Sequence, residues 1–543
     1  MGRDNAAMST ASPRSGPSLD PERCWRALSA RDARFDGRFF VGVSSTGIYC
    51  RPVCTARTPR LEHCRFFAAA ALAERNGYRP CLRCRPELAP GYSSVDATER
   101  LAQAGAALIE DGVLAEGGVS QVAHRLGVTD RHLRRVFDAQ FGVSPIEYAQ
   151  THRLLLAKRL LTDTALPITE VALAAGFSSV RRFNDCFVSH YRLAPTDLRR
   201  AVPKAGAANS DSRGHSLCFR LAYRPPLDWE ALLAFLSRRA IAGVELMATR
   251  RVGRSRTVPV YRRIVRVPGP GGGERLGWIE VGRPAGSGAK GHLLEVQVSA
   301  SLVDAIPAVL GRVRRAFDLG ARPDEVAQGL GDLAVGFEGI RLPGAFDGFE
   351  IAVRAVLGQQ VTVRQATLLV GRVVAAFGEP VLTPWAELHH AFPTPQRIAA
   401  CEPSALGEMG IIGSRSRAIV ELARQLADGR LRLEPDVDPE STMAQLNAIA
   451  GIGDWTAQYI AMRALGWPDA FPAADAGVFK VLGVRTAAQA RAAAQAWRPW
   501  RGYAVMHLWR SLALQPAAPT VSSGSVLRHT DGLIPTATQE PTP

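Results

Sequence analysis

The stretch LNAIAGIGDWTAQYIAMRALG, residues 446–466, places Gly451-Ile452-Gly453 between two amphipathic helical patterns. Glycine allows a backbone turn and a close approach that other residues do not allow. Because the first N–H groups of a helix have no partner within the helix, such a turn can present them to a phosphate. The stretch therefore predicts two helices joined by a hairpin turn, with Gly451 and Gly453 as candidate DNA-binding residues.

The segment FPAADAGVFKVLG, residues 471–483, follows and places Asp475 where the pattern predicts the start of a helix. The partial positive charge of a helix N-terminus keeps a carboxylate there in its ionised form. A helix N-cap requires the same residue type at the same place, so a purely structural Asp475 is the alternative.

The glycine turn and Asp475, at this spacing, resemble the helix-hairpin-helix glycosylase superfamily. The stretches RLPGAFDGFEIAVRAVLGQQVTV at 341–363 and WRPWRGYAVMHLWR at 497–510 narrow the resemblance to AlkA-type 3-methyladenine DNA glycosylases. YRPPLDWEALLAFLSRRAIAGVE, residues 223–245, extends it over residues 216–514. The resemblance implies an enzyme that excises 3-methyladenine and other alkylated bases.

The resemblance also implies roles for individual residues. Asp475 would stabilise the positive charge that develops on the sugar while water attacks the anomeric carbon. Trp455, Tyr459 and Trp509 would stack on an electron-poor base flipped out of the helix. Leu357 would be the wedge that fills the gap left by the flipped nucleotide. The alternative for the aromatic residues and for Leu357 is ordinary core packing.

Two absences refine the expected chemistry. Lyase-competent relatives carry lysine at the position of Trp455, so the glycosylase is expected to be monofunctional. No cysteine follows Cys401, so the four-cysteine iron-sulfur cluster of other superfamily members is not expected.

The competing hypothesis is an AraC-type transcription regulator whose glycosylase half is catalytically inactive and only binds DNA.

Four of the nine cysteines form two close pairs near the N-terminus. GIYCRPVC, residues 47–54, carries Cys50 and Cys54, and RPCLRC, residues 79–84, carries Cys81 and Cys84. Folding can bring two such pairs into one tetrahedral set of four thiolates, for which zinc is the natural ion. A closed, purely structural zinc site is the alternative to a reactive one.

Residues 22–88 resemble the N-terminal domain of the Ada methylation-response proteins. The resemblance implies that Cys50 accepts a methyl group from a DNA methylphosphotriester, with Cys54, Cys81 and Cys84 as the other zinc ligands. Zinc holds cysteine as the nucleophilic thiolate, so no base is needed. Because methylation turns one thiolate into a neutral thioether, it removes one negative charge and should tighten DNA binding.

Four arginines near these cysteines, Arg51, Arg57, Arg83 and Arg85, are expected to contact flanking phosphates, with ordinary solvated charge as the alternative. Cys64 matches no ligand of the resemblance and is expected to serve packing.

Two later segments repeat the same helix, glycine and helix pattern. They are VSQVAHRLGVTDRHLRRVF at 119–137 and ITEVALAAGFSSVRRFNDCFVSHYRLAPTDLRR at 168–200. Together they resemble the two-part DNA-binding domain of AraC-type regulators, in which the second helix of each unit enters the major groove. The candidate DNA contacts, to phosphates or to bases, are Arg131, His132, Arg134, Ser178, Ser179, Arg181 and Arg182.

The charge balance agrees with a nucleic-acid partner. The 543 residues carry a formal net charge of +16, and the basic excess extends over both halves of the chain. Such an excess attracts polyanions. Alkylated and operator double-stranded DNA are the expected partners, and RNA polymerase is a candidate partner. No signal peptide or membrane span is evident, which favours a cytoplasmic protein.

A chain of this length exceeds one hydrophobic core, so a multidomain protein is expected. The predicted order is a disordered 1–20, a small α/β zinc methyl-acceptor domain at 21–92, an all-α double helix-turn-helix domain at 97–203, a linker at 204–215, an α+β domain at 216–335, an all-α helix-hairpin-helix glycosylase domain at 336–514, and a disordered tail at 515–543.

Overall fold

The computed structural model describes residues 19–90, 97–201, 216–252, 256–269, 272–284 and 292–514. Residues 1–18 of the predicted disordered segment 1–20, the predicted disordered tail at 515–543 and the predicted linker at 204–215 lie outside these described residues. Asp20, at the end of the first of these segments, is the N-cap of the helix Pro21–Ser29. The described elements have the predicted fold class: a small α/β region, a helical region, an antiparallel sheet with helices, and a long helical region. Among the described helices, none combines the length and apolar character that crossing a membrane requires.

Residues 19–90, called the zinc module below, form a four-stranded sheet with the strand order β3-β1-β2-β4. Strands β1 and β2 are an antiparallel hairpin, and β2 pairs with β4 in parallel. The elements are α1 Pro21–Ser29, β1 Phe40–Val43, β2 Ile48–Cys50, β3 Cys64–Phe67, α2 Ala70–Arg75 and β4 Arg79–Pro80.

Residues 97–201 are called the reader module below, after the DNA-binding role expected for them from the sequence. All of the regular elements in this module are helices. Its elements are α3 Ala97–Glu110, α4 Val113–Arg125, α5 Asp130–Phe141, α6 Pro145–Asp163, α7 Ile168–Ala174, α8 Val180–Tyr191 and α9 Pro195–Ala201. The predicted helix pairs are α4 with α5 and α7 with α8, and the long helix α6 joins them. Side-chain caps begin the second helix of each pair: Thr129 accepts the N–H of His132, and Ser179 accepts that of Arg182, both at 3.2 Å.

Residues 216–335 form the sheet domain. Five antiparallel strands lie in the order β5-β9-β8-β7-β6. The elements are β5 Ser216–Ala222, α10 Trp229–Ser237, β6 Glu245–Val252, β7 Arg256–Pro268, β8 Glu274–Gly282, β9 Leu293–Ser299, α11 Ile306–Ala316 and α12 Pro323–Leu330.

Residues 336–514 form the helical domain, and together with the sheet domain they are called the back half. Its elements are α13 Gly348–Leu357, α14 Val363–Phe377, β10 Glu379–Pro380, β11 His390–Ala391, α15 Pro395–Ala399, α16 Pro403–Gly407, α17 Gly413–Ala427, α18 Pro439–Asn447, α19 Asp454–Arg463, α20 Ala476–Leu482, α21 Ala487–Ala493 and α22 Arg501–Leu514. The predicted hairpin joins α18 to α19.

The hydrophobic cores do not follow the expected domain boundaries. The first helix pair of the reader shares a core with the zinc module, in which Phe137 and Tyr49 are both fully buried. The second pair shares a core with the sheet domain, in which Phe183 of α8 and Phe219 of β5 belong to one buried cluster. Burial of apolar surface drives both contacts. The reader module therefore packs against both of its neighbours in the chain.

Candidate functional site

Asp475 is the N-cap of α20, and hydrogen bonds hold both of its carboxylate oxygens. Oδ1 accepts the backbone N–H groups of Gly477 at 2.9 Å and Val478 at 3.0 Å. The indole N–H of Trp509 also donates to Oδ1, at 2.9 Å, and that of Trp455 donates to Oδ2 at 3.1 Å. Four donors of this kind fix the orientation of the carboxylate.

The three predicted aromatic residues lie together beside this carboxylate. The rings of Trp455 and Tyr459 are stacked, with centroids 5.5 Å apart and planes 16° apart. Tyr459 lies 6.3 Å from Trp509 at a tilt of 42°. All three side chains are partly exposed. The structure therefore brings Asp475, Trp455, Tyr459 and Trp509 into one accessible aromatic site.

The sheet domain adds two residues that the sequence analysis missed. Phe235 of α10 stacks on Trp509, with ring centroids 6.3 Å apart and planes 15° apart. The guanidinium of Arg239 lies 3.8 Å from the Phe235 centroid and 5.9 Å from the Trp509 ring. Burial lowers the pKa of Arg239 to about 10. The signal available in the sequence was the spacing of Phe235 and Arg239 by one helical turn in FLSRR. That spacing does not indicate which distant residues the two side chains contact.

Arg463 holds Tyr459 in place from one turn along α19. Its Nη1 donates to the Tyr459 hydroxyl at 3.0 Å, and its Nε donates to the Pro343 carbonyl at 2.5 Å. Burial raises the pKa of Tyr459, but the nearby cations Arg463 and Arg239 outweigh it, so the pKa lies below its usual value. The phenol is thus a fixed part of the site.

The glycine hairpin has the geometry that its sequence predicts. Gly451 has φ 95°, in the left-handed region, and Gly453 is the N-cap residue of α19. Both glycines are exposed. The side-chain amide of Gln359 donates to the Gly451 carbonyl and to the Thr456 hydroxyl, each at 2.9 Å. The turn that follows α13 is therefore anchored against the hairpin.

The structure contradicts the assignment of Leu357 as a wedge. Leu357 ends α13 and is 0% exposed within the core of the helical domain. It cannot enter DNA without leaving that core. The exposed residue of the same turn is Gln360, which lies beside the hairpin-anchoring Gln359 and has φ 55°.

The four predicted zinc ligands converge in the zinc module. Tyr49 pairs with Pro80 in parallel, so the next residues, Cys50 and Cys81, lie side by side. The Sγ atoms of all four cysteines lie within 4.8 Å of one another. A tetrahedral zinc with Zn–S bonds of about 2.3 Å requires sulfurs about 3.8 Å apart, so this all-sulfur donor set fits the ion. Cys64 is outside the cluster and donates to the Arg60 carbonyl instead.

Two of the four arginines expected to contact phosphate form ion pairs within the protein instead. Arg51 is buried, and its guanidinium pairs with the carboxylate of Asp36. Arg85 pairs with Glu87 at 3.0 Å and with Asp163 at 2.7 Å. These two side chains are committed to internal ion pairs. The other two, Arg57 and Arg83, are exposed.

The strand that carries Cys50 is tied to the reader module through a buried carboxyl group. The hydroxyl of Tyr49 donates to Glu74 Oε1 at 3.0 Å, and that of Thr151 in α6 donates to Oε2 at 2.8 Å. Burial raises the pKa of Glu74 to about 7. Glu74 thus links strand β2, which carries Cys50, to α6.

The candidate DNA contacts lie at the exposed starts of α5 and α8. His132 is half-buried and the other six are exposed, but Ser179 also uses its hydroxyl as the N-cap of α8. The imidazole of His132 is 3.0 Å from the guanidinium of Arg135. The seven residues are Arg131, His132, Arg134, Ser178, Ser179, Arg181 and Arg182.

Four family profiles match successive parts of the chain. They are the metal binding domain of Ada at residues 23–87, a helix-turn-helix domain at 122–201, the AlkA N-terminal domain at 218–347, and the HhH-GPD superfamily base excision DNA repair protein at 353–498. The four-cysteine zinc site is therefore confirmed as the site of an Ada-type metal-binding domain.

Curated relatives match both halves. DNA-3-methyladenine glycosylase 2 of Escherichia coli is 36% identical over 55% of this chain and 99% of its own length. The bifunctional transcriptional activator/DNA repair enzyme Ada of Escherichia coli is 33% identical over 29% of this chain and 43% of its own. The "Probable bifunctional transcriptional activator/DNA repair enzyme AlkA" of Mycobacterium tuberculosis is 39% identical over 91% of this chain and 97% of its own length. The chain belongs to this family of Ada-AlkA fusion proteins.

Proposed function

We propose that the protein repairs alkylated DNA and responds to it. Its back half is a monofunctional glycosylase that excises 3-methyladenine and other alkylated bases, and its zinc module takes methyl groups from methylphosphotriesters onto Cys50. The observation that carries the glycosylase assignment is the Asp475 carboxylate held between the indoles of Trp455 and Trp509. Measuring base release from a methylated DNA duplex tests it.

The site supports a dissociative hydrolysis. The flipped base stacks among Trp455, Tyr459 and Trp509, and the N-glycosidic bond breaks as its electron pair leaves with the base. The fixed charge of Asp475 stabilises the cationic sugar, and water adds to the anomeric carbon. An alkylated, cationic base leaves as a neutral molecule, so little proton donation is needed. Trp455 offers no amine for a lyase reaction.

The zinc module supports a direct methyl transfer. Zinc, when bound, keeps the cysteines as thiolates at neutral pH. The Cys50 sulfur attacks the methyl carbon of the phosphotriester, a carbon–sulfur bond forms, and the carbon–oxygen bond breaks. The phosphodiester leaves with the electron pair and regains its negative charge. Because one thiolate charge is lost, the methylated module is expected to bind DNA more tightly and to switch transcription.

The exposed turn carrying Gln360 offers a replacement for the Leu357 wedge. We infer that Gln360 fills the gap left by the flipped nucleotide, while the hairpin of Gly451 and Gly453 holds a phosphate at the start of α19. The anchor of Gln359 on the hairpin fixes the distance between these two contacts.

Gln360→Ala is expected to slow excision of a paired lesion about tenfold, because nothing then opposes the return of the flipped base. Excision of the same lesion from a single-base bulge should change less, since that base is already unpaired. Gln396→Ala, an exposed glutamine on α15, is the control. Equal losses on the paired and the bulged substrate would contradict a wedge role.

Arg181→Ala is expected to weaken binding of a DNA duplex by the full-length protein. If Arg181 contacts a phosphate, the slope of log affinity against log salt should fall by about 1. Arg200→Ala, which removes an exposed arginine on α9 paired with Asp197 at 3.3 Å, is the control. Salt titrations by fluorescence anisotropy measure both. Unchanged affinity at every salt concentration would remove Arg181 from the proposed DNA interface.

The proposed domain boundaries are those of the sequence analysis, with the reader module acting as the transcription-regulating part. Contact with RNA polymerase and a cytoplasmic location remain predictions. Two cations, Arg239 and Arg463, also lie beside the aromatic site, 3.8 Å and 5.0 Å from the Phe235 centroid. This arrangement supports excision of a range of bases rather than of cationic bases alone.

A further inference from the structure

A buried arginine of the back half reaches into the zinc module. Arg224 follows β5 and is 0% exposed. Its Nε donates to the backbone carbonyl of Asp36 at 2.9 Å. Its Nη1 donates to the carbonyls of Gly320 at 2.7 Å and Ala321 at 3.3 Å, which follow α11. One guanidinium therefore joins a loop of the sheet domain to the loop of the zinc module that carries Asp36.

Asp36 in turn holds the residue that follows Cys50. Its carboxylate accepts Arg51 Nε at 2.8 Å and pairs with Arg51 Nη2 as well. Asp36 is 3% exposed and Arg51 is 6% exposed, so this bidentate pair is shielded from solvent. The fork geometry of arginine matches a carboxylate in this way and fixes both partners.

Arg51 also contacts the zinc ligands directly. Its backbone N–H donates to the sulfur of Cys84 at 3.3 Å, and its Nη1 donates to the Cys84 carbonyl at 3.0 Å. Contacts beyond the ligands orient them and tune the metal site. A continuous set of hydrogen bonds thus runs from Arg224 through Asp36 and Arg51 to the cysteine cluster.

Removing Arg224 would disturb this set at its buried end. The carbonyls of Asp36, Gly320 and Ala321 would each lose a donor in a region closed to water, and an unpaired buried polar group is costly. The Asp36 loop would then be free to shift, and with it the bidentate pair that holds Arg51 against Cys84.

We propose that Arg224 is a positioning residue for the methyl acceptor site. The back half of the chain thus supplies a residue that holds the site in the zinc module in place. The proposal rests on the proposed acceptor function of Cys50. Fusion of the two halves then does more than join two activities, because the acceptor site depends on a residue encoded 174 positions after Cys50.

The test compares Arg224→Ala with Arg38→Ala in the full-length zinc protein. Arg38 crosses the same interface, where its guanidinium pairs with Asp324 at 2.5 Å and Glu325 at 3.0 Å rather than with the Asp36 loop. Zinc release to an excess of chelator and methyl transfer to Cys50 are both timed. For Arg224→Ala, release about tenfold faster and transfer about tenfold slower are expected, as for other residues behind metal ligands. Arg38→Ala should stay near the wild-type rates.

Wild-type rates in Arg224→Ala, or equal changes in Arg38→Ala, would overturn the proposal. Base excision by Arg224→Ala reports whether the back half is folded. Should it not fold, Arg224→Lys replaces it. A single ammonium lacks the fork by which Nε and Nη1 reach two separate loops, so faster zinc release is still expected, and wild-type release would overturn the proposal. If the wild-type protein never gains a methyl group, Cys50 is not a methyl acceptor and the proposed function is wrong. The rate of zinc release would still show whether Arg224 positions the zinc site.

Discussion

Asp475→Asn is expected to slow release of 3-methyladenine from a methylated duplex by about 10²- to 10³-fold, the usual effect of removing one electrostatic contact to a charged transition state. Asparagine keeps an oxygen for the N–H groups of Gly477 and Val478, so α20 should keep its cap. The amide carries no charge, and its NH2 group would face the indole N–H of Trp455. Chromatography of the released bases under single-turnover conditions measures the rate.

Asp438→Asn is the matched control for that variant. Asp438 is also an N-cap aspartate of the helical domain and accepts the Ser441 N–H at 2.8 Å. A cap change alone should leave excision near the wild-type rate. Equal release by Asp475→Asn and the wild-type protein would remove the catalytic assignment and favour a back half that only binds DNA.

Cys50→Ala is expected to abolish methyl transfer completely, because the sulfur that forms the new bond is absent. Incubation with DNA containing methylphosphotriesters, followed by mass spectrometry of the intact protein and of its peptides, detects the added methyl group. Zinc should remain bound through Cys54, Cys81 and Cys84, which a metal analysis of the same sample checks.

Cys64→Ala is the control, since the Cys64 thiol lies outside the four-sulfur cluster. This variant should gain one methyl group, as the wild-type protein should. A wild-type protein that binds zinc but stays unmodified at Cys50 would make the site structural. Methylation of Cys54, Cys81 or Cys84 instead of Cys50 would show that the site accepts methyl groups but that the acceptor is a different cysteine.

Local patterns were enough to predict the parts of the site that lie close together in sequence. Asp475, Trp455 and Tyr459 surround one hairpin and the helix after it, and glycine spacing with helix-cap chemistry identifies such elements. Each cysteine pair is equally local in sequence. A single parallel pairing, of β2 with β4, is enough to bring the two pairs together. In both cases short spacing predicted the local structure, and the family resemblance carried by these motifs implied the role of each residue.

The sequence could not predict what depends on distant packing. Leu357 has the residue type of a wedge, but the core of the helical domain buries it, and the turn after it exposes Gln360 instead. Arg51 has the charge of a phosphate contact, but it meets Asp36, whose position depends on the fold. Phe235 and Arg239 reach the aromatic site only because α10 packs against α22. No periodicity within one helix contains that information.

The shared cores impose an order on biosynthesis. Residues of the zinc module and of the first reader pair can bury their apolar side chains as soon as they leave the ribosome. The second pair cannot, because Phe183 and Phe187 of α8 share their core with Phe219 and Val298, which lie in strands made later. Until those strands emerge, the nascent chain exposes hydrophobic surface that can aggregate. The surface of α8 that is proposed to contact DNA thus reaches its folded form only when the sheet domain is being translated.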